Sequence, residues 1–256
     1  MLTSVTRLSV NLNKIALLRN SRHTGIPDVA AFARLAIAAG AHGITIHPRP
    51  DERHIRARDV TDLASAIASA RPGFELNVEG RPDARLLELI EAVRPEQCTL
   101  VPDAPAAFTS ENGWDLTPTE VAELKPMIEY LRGRGSRVIL FVDPAPEVVR
   151  LVRATGADGI EIYTGTYADA YRRGDYSAAL SACVATAAAA RQAGLIVNVG
   201  HDLNLHNLPP LIATIGDLAE ASIGHELTAD ALILGFAQTI KAYAAALSGT
   251  RAAQVA

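Results

Sequence analysis

The chain has 256 residues, 49% hydrophobic and 20% charged, a balance that supports a large core and excludes a disordered polymer. A formal net charge of −4 provides no general attraction to nucleic acid or an anionic membrane, so phosphate recognition would have to be built locally. Cys98 and Cys183 are too few for a disulfide framework and read as reduced packing thiols.

The opening MLTSVTRLSVNL lacks the apolar run of a signal peptide. The Ala-rich stretch 177–190 is shorter than the roughly 20 residues needed to span a bilayer. The expectation is a cytoplasmic protein that spans no membrane.

In chain order, short β-rich runs alternate with helical patterns. RLSVN is followed by a polar stretch and a helix predicted over 28–39, opened by Pro27-Asp28. GITIH precedes a helix over 59–70, and FELNVE one over 83–93 that begins at Pro82-Asp83. CTLVP leads into a long connection, 103–117, before a helix over 118–132. RVILFVD is followed by a helix over 147–155. GIEIYTG leads into a second long connection, 164–176, and a helix over 177–193. LIVNVGH, the proline-interrupted 207–215, ASIGH and a helix over 226–247 complete the series. An internal echo, GAHGITI against GADGIEI, repeats one helix-end, turn and strand pattern.

Eight βα units point to an α/β fold, a (β/α)8 TIM barrel spanning 1–256 as a single domain, with extra helical and loop elements on the C-terminal face. The interrupted seventh connection leaves an open doubly wound sheet as the alternative.

The strand exits carry polar groups: Asn11, His47, Glu79, Asp103, Asp143, Glu161, His201 and the pair Gly224-His225. In a barrel these converge on one mouth. Asp103 and Asp143, both beside proline, read as caps or turn formers. His47, Glu79 and His201 read as functional, because two imidazoles and a carboxylate at one mouth are hard to explain as caps. Glu161 is open between a functional role and an ion pair with a barrel arginine.

Arg19, Arg22, Arg49, Arg53 and His54 fall in the connections after strands one and two, where guanidinium forks suit phosphate oxygens. Gly200-His201 and Gly224-His225 offer backbone N–H groups on the other side. Two separated anion sites would suit two phosphorylated ligands. The chain has no HExxH, no cysteine pair, and no GxGxxG or GxxxxGK[ST], so neither a metal nor a nucleotide is expected.

The blocks VNLNKIALLRNSR, GITIHPRPDERHI, ELNVEG, LVPD with a following FTSENG, EIYTG, NVGHDL and SIGH resemble, in order and spacing, the pyridoxine 5′-phosphate synthase family of the deoxyxylulose-dependent vitamin B6 pathway. The resemblance covers nearly the whole chain. It implies a (β/α)8 barrel assembling as a homo-octamer, without metal or redox cofactor, that condenses 3-amino-2-oxopropyl phosphate with 1-deoxy-D-xylulose 5-phosphate to pyridoxine 5′-phosphate, phosphate and water. It implies His47 and Glu79 as proton acceptors and His201 as proton donor. Asn11, Arg22, Asp202, Gly224 and His225 would hold the aminoketone phosphate, and Arg49, His54 and Thr109 the deoxyxylulose phosphate.

Two departures from the family pattern stand out. Asn13-Lys14 replaces the commoner Asp-His at a position that in the family contacts the sugar phosphate, and Asp202 replaces a common glycine. Lys14 keeps a second reading open, a Schiff-base aldolase or phosphosugar isomerase barrel. A third reading is a non-catalytic barrel that senses a phosphorylated metabolite.

Overall fold

The computed structural model describes residues 5–103, 110 and 112–249. The elements run β1 (Arg7–Asn11), α1 (Asn13–Asn20), α2 (Val29–Ala39), β2 (Gly43–Ile46), α3 (Ala57–Ala66), β3 (Glu75–Gly80), α4 (Ala84–Val93), β4 (Gln97–Leu100) and α5 (Pro118–Gly133). They continue β5 (Arg137–Val142), α6 (Val148–Thr155), β6 (Gly159–Tyr163), α7 (Gly165–Arg173), α8 (Ser177–Gln192), β7 (Ile196–Gly200), α9 (Leu208–Ile215), β8 (Glu220–Ile223), α10 (His225–Leu234) and α11 (Phe236–Leu247). All eight strands are parallel and close into a barrel, with β8 paired to β1 through registers such as Ser222 opposite Ser9. The open-sheet alternative is thereby excluded.

Closure needs a seventh crossover, and α9 supplies it: its prolines lie in the first turn, where no backbone donor is required. The acidic starts act as read. Asp28 accepts from Ala30 N at 3.0 Å and Asp83 from Leu86 N at 2.8 Å.

Three elements differ from expectation. The stretch after β1 is the helix α1, and much of 164–176 is α7; neither has a capping side chain or an acid in its first turn, so neither carries a start signal. The long final helix is two, broken where Gly235 takes φ +81°.

The period of two along each strand sorts its residues into two environments. Leu8, Val10, Ile44, Ile46, Leu76, Val78, Cys98 and Leu100 join the apolar layer shared with the helices. The alternate residues face the barrel axis, and at mid-height they are polar. Ser9 Oγ lies 2.7 Å from Thr45 Oγ1, Ser222 Oγ 3.2 Å from the same atom, and Asn77 Nδ2 donates to Thr45 and Thr99 at 3.2 and 3.1 Å. Each such bond nets about 1 kcal/mol, while leaving one partner unpaired costs roughly 1–3 kcal/mol. The polar interior is thus stable only as a connected set, and it holds the strands in register beneath the mouth.

Candidate active site at the C-terminal mouth

Continuing the inward-facing rows upward leads to Asn11 on β1, His47 just past β2 and Glu79 on β3; His201, just past β7, is off that row and joins them where the backbone turns at positive φ. His47 Nδ1 stands 3.6 Å from Glu79 Oε1. The His47 exit is tied to β1, because His47 N donates to Asn13 Oδ1 at 2.9 Å and Asn13 N donates to Asn11 Oδ1 at 2.9 Å. Asn13 therefore braces the first two strand ends. A few residues on, His54 is buried with its ring 6.0 Å from that of His47.

His201 and Asp202 adopt φ +92° and +56°, a left-handed conformation that is unfavourable for side chains with a Cβ. Thr164 holds them: its hydroxyl lies 2.7 Å from Gly200 O and 2.6 Å from His201 O, while Asn207 Nδ2 donates to Asp202 O at 3.0 Å. The His201 ring meets Tyr163 edge-on at 5.2 Å, and its Nδ1 is 3.2 Å from Asp202 Oδ2. Gly200 leaves room for Glu161, since a Cβ there would stand 2.0 Å from Glu161 Oε1 and displace that carboxyl. The Asp202 carboxylate turns toward the imidazole.

Charge in the mouth is uneven. Burial pushes the Glu79 carboxyl up, but the hydrogen bond from His47 and the positive field of His47, His201 and Arg49 outweigh it and leave it below the usual carboxylate value. Glu161 moves the other way: burial and the negative charges of Glu79 and Glu220 hold it well above that value. The two carboxyls that share the interior are therefore pushed in opposite directions.

Several readings need correction. Glu161 is not at a strand exit but within β6, facing the axis, and among the described residues no arginine pairs with it. His54 is no cation: burial, then the charges of His47 and Arg49, lower its pKa to about 3, and its Nδ1 accepts from Ile55 N at 2.9 Å. Arg19 is structural, bound to Asp59 at 2.6 and 2.8 Å and to His54 O at 3.1 Å. Asp103 has a role beyond the cap or turn expected of it: among the described residues it pairs with Arg49 and accepts from Ser110 Oγ at 2.6 Å. The Asp143 carboxylate accepts from Gly113 N at 3.1 Å, tying the strand-five exit to the connection before α5 rather than forming a local turn.

Two clefts open at the mouth. Asn11, Glu79, Glu161, His201, Asp202, Gly224 and His225 line one of about 470 Å³. His47, Arg49, Arg81, Arg85 and Asp103 line the other, of about 380 Å³. The His47–Glu79 pair bridges them, one member in each wall. Lys14, on α1, and Arg22, in the exposed turn beyond it, line neither of these two clefts. Thr109 lies outside the described residues. Among the described residues no three His, Cys, Asp or Glu side chains are grouped to hold a metal ion, and no helix is long and apolar enough to cross a membrane.

The sequence profile described as pyridoxal phosphate biosynthesis protein PdxJ matches residues 8–249. The chain belongs to this family. Among PdxJ-type relatives, a protein of Albidiferax ferrireducens named pyridoxine 5′-phosphate synthase is 48% identical over 93% of this chain and 96% of its own. One of the same name from Brucella suis is 48% identical over 95% and 99%. This PdxJ barrel is thus an enzyme of the vitamin B6 route. Two solved structures share its fold: a Mycobacterium tuberculosis tryptophan synthase at 16% identity and TM-score 0.64, covering 96% and 94% of the two chains, and the YdjI aldolase of Escherichia coli at 11% and 0.63, covering 96% and 92%.

The sequence reading took Glu79 as the exit of strand three and passed over Arg81, which directly follows β3, and Arg85, in the first turn of α4. The available signal was two arginines within six residues of Glu79.

Proposed function

We propose that the protein is a pyridoxine 5′-phosphate synthase that joins 3-amino-2-oxopropyl phosphate to 1-deoxy-D-xylulose 5-phosphate, releasing phosphate and water. The observation that carries this reading is the His47–Glu79 pair bridging two clefts, with His201 in the wall of one. A condensation of two substrates needs proton-transfer groups where the two meet.

The aminoketone phosphate occupies the cleft of Asn11 and His201, with its phosphate at the backbone N–H groups of Gly224 and His225, where α10 begins. The sugar phosphate occupies the cleft of Arg49, with neutral His54 beside it as a donor. Ionised Glu79 and His47 take protons as the amine adds to the ketone and as the ring closes; His201 returns one to a departing oxygen. Glu161, its pKa held up by burial and by the neighbouring carboxylates, lies in the wall of the same cleft as Glu79 and His201. Asn13 acts through the His47 backbone. Lys14, which lines neither cleft, carries no Schiff base here.

The homo-octamer is supported by Leu232 and Ile233, an apolar pair on α10 left 79% and 84% exposed; native mass spectrometry tests it. The buried free thiols Cys98 and Cys183 support a cytoplasmic location. The deciding experiment is incubation with both phosphorylated substrates, following pyridoxine 5′-phosphate by mass and fluorescence. No product from either order of addition would refute the reading.

A further inference from the structure

We infer that Arg85, seconded by Arg81 four residues earlier, anchors the phosphate of the sugar substrate; this rests on the synthase reading for the identity of the ligand, while the anion site itself stands on geometry. Neither residue belongs to the set implied by the family resemblance.

Arg85 sits in the first turn of α4, a few residues beyond Glu79 on β3. Its Nη1 donates to Pro48 O at 2.6 Å, which fixes the guanidinium against the connection that carries His47 and Arg49. Its Nη2 is buried and has no hydrogen-bond partner among the described residues; the carboxylate of Glu52 is 3.9 Å away, beyond hydrogen-bond reach. A buried donor of this kind costs free energy until an acceptor arrives.

The acids that line the cleft do not offer one. Asp103 is engaged by Arg49 and Ser110, and Asp83 caps α4 through Leu86 N at 2.8 Å. Arg49, the cation assigned from sequence, is therefore largely neutralised. Arg81 and Arg85 add positive charge to the cleft beside His47, with Glu52 at 3.9 Å offsetting Arg85 only in part. A phosphate monoester carries about −1.5 to −2 charges at neutral pH and takes guanidinium donors in a fork. Pinned through one nitrogen and without a hydrogen-bond acceptor among the described residues at the other, Arg85 is preorganised for such an oxygen. Because it follows β3 directly, a phosphate held there is placed relative to Glu79 by one short, helix-capped turn.

The test compares wild type with R85Q, R85K and R81Q, after matching thermal unfolding. R85Q should raise the KM for 1-deoxy-D-xylulose 5-phosphate by about 10- to 100-fold, with R81Q and R85K smaller, and leave the KM for the aminoketone phosphate within about threefold. With deoxyxylulose lacking the phosphate, wild type and R85Q should be equally slow. An unchanged sugar-phosphate KM, or an equal loss on the unphosphorylated sugar, overturns the proposal while leaving the synthase reading intact. Titration with inorganic phosphate separates the two: weaker binding in R85Q supports the anion site even if wild type makes no pyridoxine 5′-phosphate, and equal binding counts against it.

Discussion

The two ends of the barrel interior are both polar and buried, yet only one of them faces outward chemically. At the N-terminal floor, Glu75 is paired with both Arg7 and Arg137, Arg137 donates to Gln97 Oε1 at 3.0 Å, and Gln97 Nε2 donates to Glu220 Oε1 at 2.9 Å. Those groups complete one another, and Asn198 Oδ1 is the one buried side-chain atom there, among the described residues, without a partner. At the mouth, the supporting bonds go to backbone: Asn13 to His47 N, Thr164 to the carbonyls around His201, Arg85 to Pro48 O. The side chains of His47, Glu79 and His201 meet other groups of the cleft walls, His47 with Glu79 and His201 with Asp202. Holding a side chain by its backbone, rather than by its own polar atoms, distinguishes a site from a structural network.

The sharpest way to break this comparison is at the mouth. His201→Asn and Glu79→Gln should each lower turnover by about 10²-fold or more, with thermal unfolding close to wild type; a retained rate in either would remove the acid/base assignment. At the floor the pattern should invert. Glu75→Gln takes away the partner of two arginines that are about one-third exposed. The cost should be roughly 2 kcal/mol, below the 3–5 typical of a fully buried pair because solvent screens the freed charges. Denaturant unfolding measures it, and steady-state rates well below the melting temperature should be unchanged.

A finer contrast comes from pH. Burial raises Glu220 to about 7 against an ordinary 4.5. Between those values the folded state binds the extra proton, so this group's contribution falls as pH rises from about 4.5 to 7 and is level above that. Glu220→Gln should give a shallower decline of stability across that window, read by thermal unfolding at several pH values; an unchanged slope would mean the group is not buried as described. The smallest effect is expected from Lys14→Met, with turnover within about threefold and no borohydride-trapped adduct in wild type. Trapping at Lys14 would revive the aldolase reading.

Much of the architecture was legible because strand and helix periods differ and because acids and prolines mark helix starts, as at Asp28 and Asp83. Helices lacking such marks, α1 and α7, were read as loops. Within the site, residues at strand ends could be ranked by type, so His47, Glu79 and His201 emerged together. The state of those groups could not be ranked. Whether His54 is a cation or a buried neutral ring, and whether Glu161 is ionised, depends on what surrounds them in space. Asp103 read as a cap because its neighbour in sequence is proline, while its partner Arg49 lies far away along the chain.

Taken alone, the order of residues determined eight βα units, the inward and outward faces of each strand, and the family, since these are set by local period and by short motifs in register. Tertiary structure alone decided that the sheet closes, that the two carboxyls in the mouth are shifted in opposite directions, and that Arg85 lines a cleft with a nitrogen that has no hydrogen-bond partner among the described residues. Those properties depend on distance and desolvation, which arise only when segments remote in the chain are packed together.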